Sequence, residues 1–164
     1  MSCGVALAVS LLLSDPNVAM AAAQPPAAAD APVSVAGEPL FSDIVHRSGT
    51  LKSVVDQWRA NLAADTAWSL PAPDFTQFKV DAQGLAALDM QGHLILKERG
   101  TDGDLKCILR GISEDIPVKV AAVEAAATPA ERGVALDELA YLLNDNVEVI
   151  TSPPQPDAQS GVPA

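Results

Sequence analysis

The sequence predicts a mainly α-helical protein, a small bundle of four to five short helices. Three observations support this fold class. Alanine and leucine are abundant, while aromatic residues make up only 4% of the 164 residues, a composition typical of helices. Large apolar residues recur three and four positions apart after residue 50, and a helix-capping sequence begins at Thr128.

The clearest helical periodicity lies in residues 51–64. Its apolar face consists of Leu51, Val55, Trp58 and Leu62. This spacing places them along one side of a helix, and Thr50 is the predicted N-cap. A short helix over residues 40–45 is expected to precede it and to end at Gly49.

The second strong signal is the segment Thr128-Pro129-Ala130-Glu131. Threonine at the N-cap, proline in the first turn and glutamate three residues after the cap form a capping box. A helix is therefore predicted from Pro129 to about Leu143. The polar residues 144–146 are expected to end it.

The middle of the chain allows two interpretations. Asp74 is a candidate cap for a helix that contains Gly84 and Gly92. Residues 94–112 fit either helix or a short β-hairpin around residues 100–103. Helix is favoured, because the flanking segments are helical and an isolated pair of strands is unstable. A further helix is predicted from Ser113 to Ala126, with Pro117 in its first turn.

The two ends of the chain have a different character. Residues 4–13 are a run of ten residues that are apolar except for Ser10, the length of a signal-peptide core and too short to span a membrane. Small residues follow, so residues 1–23 are predicted to be a signal peptide, although no basic residue precedes the run. Residues 24–37 are a predicted Pro/Ala-rich linker, residues 38–150 the helical domain, and residues 151–164 a disordered Pro-rich tail. The expected location is periplasmic or secreted, with the cytoplasm as the alternative.

The charge excludes two classes of partner. The formal net charge is −11 and the isoelectric point is near 4.3. A negative field repels both a phosphate backbone and an anionic membrane surface. Nucleic acid is therefore not expected as a partner. The expected partner is another protein.

Few residues offer catalytic chemistry. After removal of the signal peptide, Cys107 would be the single cysteine, so no disulfide can form within one chain. In a helix Cys107 would be exposed beside Lys106 and Arg110, whereas in a hairpin it would be buried. His46 and His93 have no further ligands at helical spacing, so neither a metal nor a cofactor is predicted, and no residue is assigned a catalytic role.

The most distinctive stretch is residues 97–119, where charges alternate around three glycines and the cysteine. A charged segment on a helical scaffold is a candidate binding surface. The residues assigned to it are Arg99, Asp102, Asp104, Cys107, Arg110 and Asp115.

These observations favour a non-catalytic, exported helical domain that binds another protein or a small apolar ligand in the cell envelope. One alternative is a thiol-dependent enzyme or redox factor that uses Cys107. Another is a small acidic cytosolic protein of the inhibitor or immunity type. Cys107 also suggests a disulfide-linked homodimer.

Overall fold

The computed structural model describes residues 34–100 and 103–152, and they form four helices. Helix α1 is Pro39–Ala64, α2 is Ala72–Arg99, α3 is Gly103–Ala125 and α4 is Pro129–Thr151. The predicted helical fold class is confirmed. The predicted signal peptide, most of the predicted linker and nearly all of the predicted tail lie outside the described residues.

The β-hairpin alternative for residues 94–112 is wrong in the described part of that segment. Leu94 lies in α2 and Ile112 lies in α3, with no strand between them among the described residues. Four apolar residues of the segment lie on the buried faces of the two helices: Leu96, Leu105, Leu109 and Ile112. Helices satisfy their own backbone hydrogen bonds, whereas a lone hairpin would leave both edges unpaired.

The four helices pack in a ring in which each helix contacts two others. Helices α1 and α3 both pack against α2 and α4. Neighbouring helices run antiparallel: Arg99 at the end of α2 binds Glu38, which precedes α1, and Arg59 of α1 binds Asp137 of α4. The arrangement is a four-helix bundle in which α1 lies diagonally across from α3, and α2 from α4.

The core is continuous and largely aliphatic. Its fully buried large side chains are Phe41, Ile44, Val55, Leu85, Leu96, Leu109, Ile116, Val123, Leu136, Leu139, Leu143 and Ile150. Burial of each such side chain contributes ~1.5–3 kcal/mol to the free energy of folding. At one end of the bundle Trp58 packs on Phe78 and Phe75, with ring centroids 4.9 and 5.9 Å apart.

Helix α1 is longer than its sequence predicts. Gly49 does not end a helix but lies inside α1. Thr50, the predicted N-cap, donates instead from Oγ1 to the backbone oxygen of His46, one turn earlier. The helix passes through this polar stretch because Phe41 and Ile44 before it, and Leu51 after it, continue the same buried face.

Helix α2 begins after a proline and ends at a glycine. Its N-cap is Pro71 rather than Asp74, which lies in the first turn. It ends at Gly100, whose φ of 65° is the left-handed conformation that favours glycine. Inside the helix, a Cβ added at Gly92 would lie 3.2 Å from Phe41 Cε1 and 3.1 Å from Leu109 Cδ1. Glycine therefore allows close approach of α1, α2 and α3.

Helix α3 begins earlier than predicted, and the prediction for α4 is correct at its start but not at its end. Residues 113–115 do not begin a helix, and Pro117 lies well inside α3, where it has no N–H for the carbonyl of Ser113. The capping box of α4 is confirmed: Thr128 Oγ1 accepts from the N–H of Glu131, whose Oε2 accepts from the N–H of Thr128. The predicted end near residue 143 is wrong, because α4 continues to Thr151 and buries Asn146 and Ile150.

Candidate functional site

A surface groove lies between the end of α1 and the start of α4. Its volume is about 820 Å³. The groove exists because many of its lining side chains are small. The space between the two helices is not filled by Ala60 and Ala63 in α1 or by Ala130 and Gly133 in α4. The remaining lining residues are Asp56, Arg59, Leu62, Thr66, Pro129 and Asp137. The groove is open to solvent along its length, and its apolar floor includes Leu62, which is buried.

A network of charged residues forms one rim of this groove. Arg59 donates to Asp137 Oδ1 at 2.5 Å and to Asp56 Oδ1 at 2.9 Å. Lys52 Nζ donates to the other oxygen of Asp56 at 2.7 Å. The hydrogen bond from Lys52, followed by that from Arg59, lowers the pKa of Asp56, and the hydrogen bond to Asp137 raises the pKa of Arg59. Asp137 is the most exposed of these four side chains.

A second depression lies on the other side of the first turns of α4, between α3 and α4. Its volume is about 670 Å³, and Ala130 lines both depressions. The lining residues are Ala122, Ala125, Ala126, Ala127, Ala130, Glu131, Val134, Ala135 and Glu138. Val134 is 59% exposed and Tyr141, two turns further along, is 73% exposed. The first half of α4 thus presents apolar and acidic side chains to solvent.

The most concentrated polar cluster is inside the bundle, where α1, α2 and α4 each contribute one residue. Ser48, Asp89 and Asn146 are all fully buried. Asn146 Nδ2 donates to Ser48 Oγ at 3.1 Å and to the two oxygens of Asp89 at 3.1 and 3.0 Å. Burial raises the pKa of Asp89 to about 7, and the hydrogen bond from Asn146 partly opposes this shift.

This buried cluster lacks the access that a substrate needs. None of its three residues lines either depression beside α4. A carboxyl that titrates near neutral pH is typical of acid–base catalysts, but such groups act only where a substrate reaches them. In this fold the cluster joins α1, α2 and α4 through side-chain hydrogen bonds.

The residues predicted as a binding surface do not converge on either depression beside α4. Arg99 is held by Glu38 through two hydrogen bonds of 2.8 Å. Asp104 and Arg110 are exposed in α3, where Arg110 lies 3.9 Å from Glu114. Asp115 is also exposed. The pKa of Lys119 is raised mainly by the hydrogen bond that this lysine donates to Glu138, and the charge of Asp115 adds a smaller contribution. Asp102 lies outside the described residues.

Cys107 is exposed on the outward surface of α3, as the helical interpretation predicts. No hydrogen-bond partner of its thiol occurs in the described part of the chain. The described residues also contain no group of three His, Cys, Asp or Glu side chains that could hold a metal ion. Asp43 accepts from Arg47 Nε at both carboxylate oxygens, at 3.1 and 3.0 Å, and among the described residues it has no hydrogen bond with His46.

Sequence reasoning missed the groove, although a signal for it exists. Ala60 and Ala63 in one helix, and Ala130 and Gly133 in another, are pairs of small residues three apart. Residues with this spacing share one helix face, and two such faces leave a groove where their helices meet. The missing information was that α1 and α4 are neighbours.

The fold and site together define a four-helix bundle with a small-residue groove on its surface and a polar cluster in its core. No described helix has both the length and the apolar character needed to cross a membrane. The chain matches no known family model, no curated protein and no solved structure.

Proposed function

We propose that this chain is a non-catalytic helical domain that binds another protein, and that the groove between α1 and α4 receives a segment of that partner. The observation that carries the proposal is the groove itself, an apolar surface lined by small side chains and bordered by fixed charges. Contiguous apolar surface of this kind on a bundle marks interaction sites.

A protein segment fits the groove better than a small apolar ligand does. Small-molecule sites are concave and bury most of the surface of their ligand, whereas this groove is open along its length. A groove between two helices suits the apolar side chains of a third helix or an extended segment. The exposed carboxylate of Asp137 and the acidic side chains nearby favour a segment that carries a basic residue.

The proposed place of action is the cell envelope, and it rests on the sequence of residues 1–23. Sequencing the N-terminus of the mature protein tests it. A chain that begins shortly after Ala21 or Ala23 supports export. An intact Met1 in the soluble cytosolic fraction contradicts export and favours the acidic inhibitor or immunity type of protein.

Site-specific photo-crosslinking in the cells that express the protein tests the binding groove. A photoreactive amino acid is placed at Ala63, which lines this groove and not the second depression, and, as a control, at Val118, which is exposed on α3. We expect one protein adduct from position 63, identified by mass spectrometry, and no such adduct from position 118. The same adduct from both positions, or none from position 63, contradicts the proposal.

A groove-filling substitution makes the test specific. Gly133→Leu places a large side chain in the groove, where the new Cβ would be in ordinary van der Waals contact at 3.9 Å from Leu62. Gly49→Leu is the matched control on α1, at a position with no neighbour within 4 Å of an added Cβ. We expect at least a tenfold loss of the adduct for Gly133→Leu only. An unchanged adduct with Gly133→Leu would show that the groove is not the binding site. The variant Cys107→Ser separates this function from thiol chemistry, since it leaves groove binding unchanged.

A further inference from the structure

The outward face of α2 is a long helix surface without Asp, Glu, Lys or Arg. From residue 82 to residue 96 the only residue of these four types is Asp89, which is buried, and His93 in the same range is turned toward α3, where its Nδ1 lies 2.6 Å from the backbone oxygen of Lys106. At the two ends of this face, Val80 is 58% exposed and Leu94 is 54% exposed. A helix that is apolar on its outer as well as its inner face is typical of a helix with partners on both sides.

The exposed residues of this face follow the spacing of a coiled-coil seam. They are Val80, Gly84, Ala87, Gln91 and Leu94, separated by four, three, four and three residues, which keeps them on one stripe of the helix. An added Cβ at Gly84 would have no neighbour within 4 Å, so this glycine leaves open space in the stripe. Val80 and Leu94 provide large side chains at the two ends of the stripe. Gly84 and Ala87, between them, are small.

We propose that two copies of the chain associate through this face, with their α2 helices antiparallel and related by a two-fold axis at Ala87. In this pairing Val80 packs against Leu94 of the second copy, and Ala87 packs against Ala87 of the second copy. Gly84 lies opposite Gln91 of the second copy, so that the longest side chain of the stripe enters its widest gap.

Charge is the reason that the occupant is a second copy. A chain with a net charge of −11 repels itself at most surfaces. The outward stripe of α4, for example, has Asp137 between Val134 and Tyr141, and self-pairing there would bring acidic residues together. On α2 each layer of the antiparallel pair is free of like charges, and the layer beyond Val80 places Gln77 opposite Glu98 of the second copy.

The surface is also self-complementary in size, as a two-fold interface requires. It spans about 21 Å along the helix, the length of two heptads. So short an interface predicts a weak and reversible dimer. The face belongs to α2, which does not border the groove between α1 and α4, so the dimer leaves that groove open.

Sedimentation equilibrium of the full chain under reducing conditions tests the association. We expect a monomer–dimer equilibrium for the natural sequence. Ala87→Glu, which places two glutamates together on the two-fold axis, is expected to raise the dissociation constant at least tenfold. Val118→Glu adds the same charge to an exposed position of α3 and is expected to leave it unchanged. A natural sequence that stays monomeric at high micromolar concentration, or equal effects of the two variants, overturns the proposal.

Cysteine crosslinking then tests the antiparallel register. In a background with Cys3→Ser and Cys107→Ser, mixing a Val80→Cys chain with a Leu94→Cys chain is expected to give a mixed disulfide dimer on mild oxidation. Each of these chains alone is expected to give little dimer, while Ala87→Cys alone crosslinks to itself. Efficient crosslinking of Val80→Cys alone would indicate parallel helices and refute this register.

Discussion

Asn146 in α4 donates its side-chain amide to both oxygens of Asp89 in α2, at 3.1 and 3.0 Å, across the diagonal of the bundle. Both residues are fully buried, and the side-chain oxygen of Asn146 is buried without a hydrogen-bond partner. An ionised carboxylate in this position has lost its water and gained a single amide donor. Its protonated form loses much less on burial and can itself donate a hydrogen bond. The bundle therefore favours neutral Asp89.

This relationship predicts that the bundle is more stable in mild acid than in mild base. The pKa of Asp89 is raised to about 7 in the folded chain, against about 3.9 in an unfolded chain. The stabilisation is complete below the unfolded value and is lost as the pH rises through the folded value. We expect the contribution of Asp89 to the free energy of unfolding to fall by about 2–3 kcal/mol between pH 5 and pH 8. Urea denaturation over that range measures it.

Asp89→Asn is the control, since its amide has nearly the same shape and does not titrate. The natural sequence should lose stability from pH 5 to pH 8, whereas the contribution of the amide at position 89 should not change. We therefore expect the unfolding free energy of the variant, minus that of the natural sequence, to increase over this range. Lowered pKa values at Asp56 and Glu38 act in the opposite direction, but they do so below pH 5 and are present in both proteins. A difference that is constant with pH would show that Asp89 does not titrate in this range.

Removing the amide donor should destabilise the fold more in base than in acid. Asn146→Ala leaves the Asp89 carboxylate buried without the hydrogen bond that now partly offsets its burial, and we expect a loss of ~2–4 kcal/mol at pH 8. At pH 5 the loss should be smaller, because the carboxyl is then neutral. The matched control is Asn144→Ala, which removes an exposed hydrogen bond to Glu148 and should cost less than about 0.5 kcal/mol. Equal losses from the two variants would mean that the buried hydrogen bond contributes nothing specific.

Asn146 also explains why the sequence predicted the fold class better than the helix ends. The segment Asn144-Asp145-Asn146 has the composition of a helix stop, because short polar side chains compete for backbone hydrogen bonds. In the bundle the amide of Asn146 is used by Ser48 and Asp89, from two other helices, so α4 continues. Such an override depends on contacts distant in sequence, which local patterns do not contain. Helix type, by contrast, follows from local periodicity and was predictable.

The same distinction applies to the candidate site. The exposure of Cys107 followed from the helical periodicity of its own segment. The groove depends on the neighbouring positions of Ala60 in α1 and Ala130 in α4, which lie far apart in the chain. The alternating charges around Arg99, at the end of α2, and Arg110, in α3, predicted a binding surface there. In the structure these two charges pair with Glu38 and Glu114, as ordinary surface residues do.

The capping box provides a prediction about where hydroxyl groups stabilise this fold. Thr128→Ala removes the acceptor for the N–H of Glu131, and we expect it to lower the free energy of unfolding by about 1 kcal/mol. Thr50→Ala is the matched control: sequence pattern also predicted a cap there, but the residue lies inside α1. Alanine is the better helix former, so this variant should be neutral or slightly stabilising. Chemical denaturation compares them, and a larger loss for Thr50→Ala would refute this account of the two threonines.

Two glycines inside helices should respond oppositely to alanine. Gly49→Ala adds a methyl group with no neighbour within 4 Å, and the higher helix propensity of alanine should stabilise the protein by ~0.5–1 kcal/mol. At Gly92 the new Cβ would lie 3.1 Å from Leu109 and 3.2 Å from Phe41. Both side chains are fully buried in other helices, so neither can move away without disturbing the core. We therefore expect Gly92→Ala to destabilise the bundle by about 1 kcal/mol or more despite its better propensity. Thermal unfolding of the two variants measures this difference, and stabilisation by Gly92→Ala would show that α2 can move away from α1 and α3 without cost.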